Sequence, residues 1–155
     1  MEKNPSYDDL VANLGNLLAP CLSQDWPNLP VQGAEGVHLI GHDGRHYLDF
    51  LAGFGVTNVG HNHPRVVEAA RTQMEKMIHA PLGTFAPETT LRLASELGKI
   101  TPGNADMFFF GNSGGEAVDG ALKLARYVTG RRAIVSFFGG FHGRTLGAAT
   151  ITTSK

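Results

Sequence analysis

The sequence has little that would tie it to nucleic acid, to a membrane or to an oxidising compartment. Its 13 Lys and Arg residues stand against 14 Asp and Glu residues, so its formal net charge is −1. That balance gives no reason to expect nucleic acid or an anionic membrane as a partner. A single cysteine, Cys21, excludes an internal disulfide and suits a reducing compartment. No apolar run has the length that crosses a bilayer, and the polar, acidic start is not a secretory signal. We therefore expect a soluble, cytoplasmic protein.

Glycine, in contrast, is abundant and unevenly spread. It makes up 20 of the 155 residues, with clusters at residues 53–60, 111–115 and 139–147. The clusters follow no fixed period, so neither a collagen-like chain nor a repeat array is indicated. A composition of 42% hydrophobic and 17% charged residues is typical of a globular protein. The glycine clusters therefore need a local explanation.

Hydrophobic periodicity and turn residues predict the main elements. Helices are expected at residues 8–19, 64–79, 87–97 and 114–129, and Gly130 should close the last of them. A β-hairpin is expected around an Asp43-Gly44 turn, with strands at residues 37–40 and 45–50. Two apolar runs, at residues 107–110 and 133–138, are expected to be buried strands, with another helix after the second. This alternation predicts an α/β domain with a parallel sheet.

The segment Gly-Asn-Ser-Gly-Gly-Glu-Ala at residues 111–117 joins an apolar run to a helix. Ser113 and Glu116 have the spacing of a capping box. Capping does not explain Gly114 and Gly115, because glycine is a poor residue for a helical turn. Without side chains there, an anion such as phosphate can approach the unpaired amides at the positive end of the helix dipole. A plain cap and a phosphate site both remain open at this point.

A second cluster, Phe-Phe-Gly-Gly-Phe-His-Gly-Arg-Thr at residues 137–145, follows the next apolar run. The carboxyl ends of parallel strands meet at one edge of a sheet, so both loops should open there. Phe141 and His142 would place an aromatic face beside the space that the glycines leave, and Arg144 is a permanent cation. Taken singly, core packing would explain Phe141 and a surface ion pair would explain Arg144. Together with the first loop they predict an aromatic cofactor that carries one phosphate.

These motifs carry a resemblance to a known family. The run FFGNSGGEAVDGALKLARYVTGRRAIVSFFGGFHGRT resembles the cofactor region of the class III, pyridoxal-phosphate-dependent aminotransferases, among them acetylornithine, ornithine and 4-aminobutyrate aminotransferases. The upstream run YLDFLAGFGVTNVGHNHPRVVEA is similar to the family's hairpin followed by G-H-x-H-P. The likeness extends from about Val31 onward, with the motifs in the family's order.

The resemblance implies a fold, a cofactor and a reaction. The fold would be part of the pyridoxal-phosphate (PLP) transferase fold, fold type I. Residues 1–60 would form the N-terminal segment and small-domain hairpin, and residues 61–155 an incomplete cofactor-binding α/β large domain. The reaction would be transamination between an amino acid or ω-amino acid, such as 4-aminobutyrate or N-acetylornithine, and a 2-oxo acid such as 2-oxoglutarate. Family members work as homodimers, so a homodimer is implied as well.

Residue roles follow from the same resemblance. The cofactor-binding residues would be Ser113, Gly114, Gly115, Phe141 and His142. The first three would hold the phosphate, where many relatives have Ser-Gly-Ala or Ser-Gly-Thr, and Phe141 would lie against one face of the pyridine ring with His142 beside it. Arg144 resembles the arginine that meets a substrate carboxylate in acetylornithine-type members, and Phe54 lies in a loop that lines the substrate entrance in relatives. Glu116 keeps its capping role.

The family's Schiff-base lysine, and the aspartate that pairs with the pyridine nitrogen, lie downstream of the F-H-G-R region. The lysines of this sequence are Lys3, Lys76, Lys99, Lys123 and Lys155, and none has a matching context. We therefore assign no catalytic residue. We expect the 155 residues to be the first part of a complete enzyme and to be inactive alone.

Three rival interpretations stay open. The first is a truncated, non-catalytic α/β module that binds phosphate or PLP reversibly. The second is a metal site built from His61, His63, His79 and His142, although no Cys or carboxylate completes a ligand spacing, so we assign no metal. The third is a nucleotide-binding fold, which is disfavoured because the glycines have neither the Walker lysine nor the G-x-G-x-x-G spacing.

Overall fold

The computed structural model describes residues 5–19 and 29–154. Contacts divide the chain into two compact units, Met1–His79 (unit 1) and Ala80–Lys155 (unit 2). Cys21 lies outside the described residues. No helix in the described ranges is both long enough and apolar enough to cross a membrane.

Unit 1 contains a small antiparallel sheet and several helices. Its helices are α1 (Tyr7–Ala12), α2 (Leu14–Leu17), α3 (Ala52–Gly55) and α4 (Pro64–Lys76). Its strands are β1 (Val31–Glu35), β2 (His38–Gly41) and β3 (His46–Leu48), paired in the order β1-β2-β3. The predicted hairpin is confirmed as β2 and β3, with Gly44 at φ 78° in the turn. The sequence pattern missed β1, which adds to the free edge of the hairpin.

Two helix predictions in unit 1 were too long. The expected helix at residues 8–19 is broken at Asn13, whose ψ of 12° ends α1 before α2 begins. Ser6 and Asp9 form a capping box at the start of α1, and this hydrogen bonding lowers the pKa of the Asp9 carboxyl below its ordinary value. The expected helix at residues 64–79 begins at Pro64 but ends at Lys76, because Met77 is extended with φ −169°. Hydrophobic periodicity therefore predicted that these helices exist but not where they end.

Unit 2 contains the helices α5 (Glu88–Gly98), α6 (Gly114–Thr129) and α7 (Leu146–Ile151). The helix predicted at residues 87–97 is confirmed to within one residue, and the helix predicted at 114–129 has the predicted bounds. Gly130 ends α6 in the left-handed conformation, with φ 69°, as its sequence position indicated. The expected helix after the second apolar run is α7, which packs against α6. Its Ala148 is fully buried.

The two predicted parallel strands are the main error. Residues 107–110 and 133–138 are not strands, and within the described part of the chain neither run shares a ladder of hydrogen bonds with another segment. Exposure nevertheless alternates along them, with Met107 and Phe109 exposed and Phe108 and Phe110 half-buried. A strand is defined by its paired neighbour, and apolar composition does not supply one.

Candidate functional site

The start of α6 is capped from both sides. Ser113 Oγ accepts a hydrogen bond from the Glu116 amide at 3.2 Å. The predicted capping box also requires the Glu116 carboxylate to bond back to Ser113, and it does not do so. It accepts from the backbone amide of Asn112 at 2.5 Å and from the Asn112 side chain at 3.2 Å. The reciprocal bond is therefore shifted by one residue, which folds the glycine loop onto the first turn of the helix.

Two amides at this helix end remain open. Among residues 5–19 and 29–154, the N–H groups of Gly114 and Gly115 have no acceptor. A Cβ atom built on Gly114 would meet nothing within 4 Å, so the space beside Gly114 is clear of protein atoms, whereas a Cβ atom on Gly115 would stand 3.2 Å from Thr145 Cγ2. Unpaired amides at a helix N-terminus, next to open space, favour an anion.

The second glycine loop lies directly against the first. Gly143 has φ 123°, and a Cβ atom placed on it would stand 2.7 Å from Gly115 Cα. Thr145 strengthens the contact, because its hydroxyl donates to the Gly115 carbonyl at 3.2 Å. The structure thus brings together the two loops that sequence reasoning singled out, and it does so by backbone-to-backbone contact.

The aromatic part of the site lies on this second loop. Phe141 is 57% exposed, and the guanidinium carbon of Arg144 lies 5.2 Å from the centre of its ring. That distance is within the range of a cation–π contact. His142 is half-buried, and its amide donates to Thr152 Oγ at 3.1 Å. The positive charge of Arg144 therefore lies over one face of the Phe141 ring. The loop that contains Phe141 is hydrogen-bonded to the end of α7.

Thr145 and Thr152 were missed at the sequence level. Both are part of this loop's hydrogen bonding, Thr145 towards Gly115 and Thr152 towards His142. Their positions at the two ends of α7, Thr145 as N-cap and Thr152 as C-cap, are the signal that could have pointed to them. Hydroxyl residues at helix ends are free to bond neighbouring backbone.

Phe54 belongs to unit 1, in a segment with unusual backbone angles. Phe54 and Ala52 have φ values of 58° and 47°, a region that side-chain-bearing residues seldom adopt. Asp49 holds this segment: its Oδ1 accepts from the amides of Leu51 and Ala52, each at 2.9 Å. Phe54 itself is 88% exposed. Backbone strain of this kind is common at binding sites, and the role of Phe54 at the substrate entrance stays a prediction.

Asp49 also forms a short hydrogen bond with His61. Its Oδ2 lies 2.7 Å from His61 Nε2, and only 7% of the Asp49 side chain is exposed. The hydrogen bond with His61, followed by the one from the Ala52 amide, lowers the pKa of the Asp49 carboxyl below its ordinary value. This pairing occupies one ring nitrogen of His61. No three potential metal ligands come together in the described ranges.

Comparison with known proteins decides the family. A family model described as "Aminotransferase class-III" matches residues 22–155. This chain belongs to the class III aminotransferases.

Several curated members of the family are similar to this chain. A probable 4-aminobutyrate aminotransferase of Bacillus subtilis (strain 168) is 46% identical over 119 residues, which are 76% of this chain and 27% of that protein. An acetylornithine aminotransferase of Archaeoglobus fulgidus is 42% identical over 122 residues, 79% of this chain and 32% of that protein. An isoleucine 2-epimerase of Lentilactobacillus buchneri is 43% identical over 129 residues, 83% of this chain and 29% of that protein. This chain spans 27–32% of the length of these relatives.

Solved structures confirm the fold class. The adenosylmethionine-8-amino-7-oxononanoate aminotransferase of Methanocaldococcus jannaschii matches with a TM-score of 0.85 and 29% identity, over 96% of this chain and 36% of that one. A taurine:2-oxoglutarate aminotransferase of Bifidobacterium kashiwanohense, solved with PLP and glutamate, matches with a TM-score of 0.78 and 28% identity, over 99% and 34%. The expected partial PLP-transferase fold of mixed helices and strands is therefore correct.

The residues of the class III chain fit a phosphorylated aromatic cofactor. The open amides of Gly114 and Gly115 are suited to a phosphate, and the space beside Gly114 would be filled by any larger residue. The exposed Phe141 ring stands on the loop that touches this helix end. PLP, which the family implies, has both of the groups that these features would contact.

Proposed function

We propose that the whole protein is a PLP-dependent aminotransferase. It would exchange an amino group between an amino acid or ω-amino acid and a 2-oxo acid such as 2-oxoglutarate, as a cytoplasmic homodimer. The observation that carries this proposal is the pair of open amides at Gly114 and Gly115, set against the Phe-His-Gly-Arg loop in a class III chain. The named aminotransferases among its relatives support the same reaction.

The start of α6 would hold the cofactor phosphate. Ser113 caps the helix, and the amides of Gly114 and Gly115 would donate to phosphate oxygens. A negative charge at a helix N-terminus gains about 0.3–1 kcal/mol, and up to ~2 kcal/mol when partly buried. A free energy of this size can orient the ligand but is too small to hold it alone. Other contacts must therefore contribute to the affinity.

The Phe141 loop would supply those contacts. Phe141 would cover one face of the cofactor ring and keep water from it, with His142 beside it. Bound PLP supplies an electron sink for the reaction, which no side chain of this chain provides. The loop's task is therefore to fix the ring while the α6 amides fix the phosphate.

Arg144 would bind the substrate carboxylate. Its guanidinium is a planar, permanent cation that suits a carboxylate, and it already lies over Phe141 at 5.2 Å. We expect Arg144→Ala in the whole protein to raise KM for the carboxylate-bearing substrate by about tenfold or more, because hydrogen bonds to charged groups contribute about 1.5–3 kcal/mol. Steady-state kinetics with the donor varied would measure this.

Arg131→Ala is the matched control for that measurement, because Arg131 follows the far end of α6 and is exposed. It should leave KM unchanged. Equal KM values for Arg144→Ala and Arg131→Ala would show that Arg144 does not bind the substrate carboxylate.

The lysine that these enzymes need would come from outside the 155 residues. Lys99 pairs with Glu96 at 2.5 Å. Lys123 is exposed on α6, nine residues beyond Gly114, which is about 14 Å along a helix axis. Lys76 is the exposed last residue of α4. We therefore propose that the 155 residues alone bind the cofactor without turning it over.

Intact mass before and after borohydride reduction tests this proposal. Borohydride makes a lysine–cofactor link permanent, so the whole protein should gain one cofactor mass and the 155-residue chain none. In the same samples, the whole protein should form glutamate from 2-oxoglutarate with 4-aminobutyrate or N-acetylornithine as donor. Glutamate formation by the 155-residue chain alone, or its absence with the whole protein and a broad panel of amines, would contradict the proposal.

Epimerisation of an amino acid is a second candidate, and the similarity to isoleucine 2-epimerase favours it. The proposed phosphate and ring contacts do not distinguish the two reactions. The two differ in the use of a 2-oxo acid. Conversion of L-isoleucine to its C2 epimer with no 2-oxo acid present, detected by chromatographic separation of the two diastereomers, would favour the epimerase. A non-catalytic PLP-binding module would show neither activity and no mass gain.

A further inference from the structure

The hydroxyl of Thr152 is the side-chain group that ties the Phe141 loop to α7. It accepts a hydrogen bond from the His142 amide at 3.1 Å. Its own proton lies within reach of two carbonyls, Gly143 O at 3.1 Å and Ala148 O at 2.9 Å. One hydroxyl thus contacts two successive residues of the loop and the last turn of the helix. Thr152 is half-buried, so water competes less for these bonds than it would at a fully exposed residue.

The neighbours of Thr152 hold the other side of the same loop. The amides of Thr153 and Ser154 both donate to Gly140 O, at 2.9 and 3.1 Å. Thr153 Oγ donates to Phe137 O at 2.7 Å. The loop is therefore bonded before Phe141 by the amides of residues 153–154 and by the Thr153 hydroxyl, and after it by the Thr152 side chain.

The tie at Thr152 acts on the contact between the two glycine loops. Gly143, whose carbonyl Thr152 reaches, stands so close to Gly115 that a Cβ atom between them would lie 2.7 Å from Gly115 Cα. Gly115 in turn carries one of the two open amides at the start of α6. The path from the Thr152 hydroxyl to that amide contains only backbone atoms.

We infer that Thr152 is a positioning residue that fixes the spacing between the ring-binding loop and the phosphate-binding amides. This inference rests on the proposed function. A ligand with both an aromatic ring and a phosphate would depend on that spacing, whereas free phosphate would contact only the amides. Thr152 should therefore control the affinity for PLP without controlling the affinity for inorganic phosphate.

The test compares Thr152→Val, which keeps the branched shape and loses the hydroxyl, with Thr152→Ser, which keeps the hydroxyl. Binding of PLP and of inorganic phosphate to the whole protein is titrated by fluorescence. We expect Thr152→Val to weaken PLP binding about tenfold, as the loss of one or two hydrogen bonds predicts. Thr152→Ser should restore PLP binding, and phosphate binding should be equal in all three proteins.

Thr150→Val is the matched control, because Thr150 is exposed on α7 and its hydroxyl donates to Gly147 O within the same helix. It should bind PLP as the wild-type chain does. If Thr152→Val lowers PLP and phosphate binding equally, the residue supports the fold and positions nothing. If Thr152→Val binds PLP as tightly as the wild type, the inference fails while the proposed function stands. A wild-type chain that binds no PLP would overturn the proposed function and this inference with it.

Amide hydrogen exchange supplies a readout that needs no variant and no cofactor. In the wild-type chain, the His142 amide donates to Thr152, whereas the Phe141 amide has no acceptor among the described residues. We expect His142 to exchange about tenfold more slowly than Phe141, after correction for intrinsic rates. Equal exchange would overturn the inference even if Thr152→Val does not fold.

Discussion

Replacing Gly143 by alanine should lower the free energy of unfolding by about 2–6 kcal/mol and abolish PLP binding. The left-handed φ of 123° costs a side-chain-bearing residue about 1–3 kcal/mol. The new Cβ atom would stand 2.7 Å from Gly115 Cα and 3.4 Å from Gly115 N. Those atoms are backbone and cannot rotate away, so overpacking adds about 1–3 kcal/mol. Chemical denaturation of the full chain, with PLP titration of the folded fraction, would measure both effects.

Gly139→Ala separates the two causes. Gly139 has a positive φ of 78°, but a Cβ atom there would meet nothing within 4 Å. It should therefore cost only the backbone strain, about 1–3 kcal/mol, and leave the loop contact intact. If both substitutions have the same effect, the close approach of Gly143 to Gly115 does not exist in solution.

Gly147→Ala should destabilise the chain by about 0.5–1.5 kcal/mol, because the Asp119 carboxylate on α6 must leave its present rotamer to make room for the new Cβ atom. A Cβ atom at this position would overlap Asp119 Oδ1 and come within 3.0 Å of Asp119 Cγ. The sign of the effect is informative, because Gly→Ala within a helix otherwise stabilises by up to about 1 kcal/mol. Denaturation of the full chain, monitored by the exchange of α7 amides, would measure the loss.

The companion substitution Asp119→Ala tests whether contact with the Asp119 carboxylate causes this loss of stability. With the carboxylate removed, Gly147→Ala should become neutral or stabilising, so the two changes should couple by at least about 0.5 kcal/mol in a double-mutant cycle. Additive effects would mean that Asp119 does not face Gly147, and that the contact of α6 with α7 differs from the one described.

The features that the sequence predicted well are those set by neighbouring residues. Ser113 and Gly130 mark the two ends of α6 because caps depend on residues a few positions away. The Asp43-Gly44 turn was found for the same reason. The phosphate-binding role of Gly114 and Gly115 also rested on local chemistry, and it stays a prediction.

Non-local pairing explains what the sequence did not predict. The runs at residues 107–110 and 133–138 have strand-like composition, but composition does not say which segment pairs with which. The hydrogen bond between His142 and Thr152 spans ten residues, and the one between Thr145 and Gly115 spans thirty. No motif encodes such contacts, although the threonines at both ends of α7 are visible in hindsight. Glu116 shows a smaller version of the same limit, since its partner lies one residue earlier than the capping box predicts.

The contact between Gly115 and Gly143 has a thermodynamic consequence. No side chain lies between the two backbones at this contact, so a displacement of one loop should displace the other directly. If the two loops hold the phosphate and the ring as proposed, binding of one group would change the affinity for the other. Linkage requires the two effects to be equal: a bound phosphate would raise the affinity for the ring by the same factor as a bound ring raises the affinity for the phosphate. The contact between the two glycines would then couple the two proposed subsites.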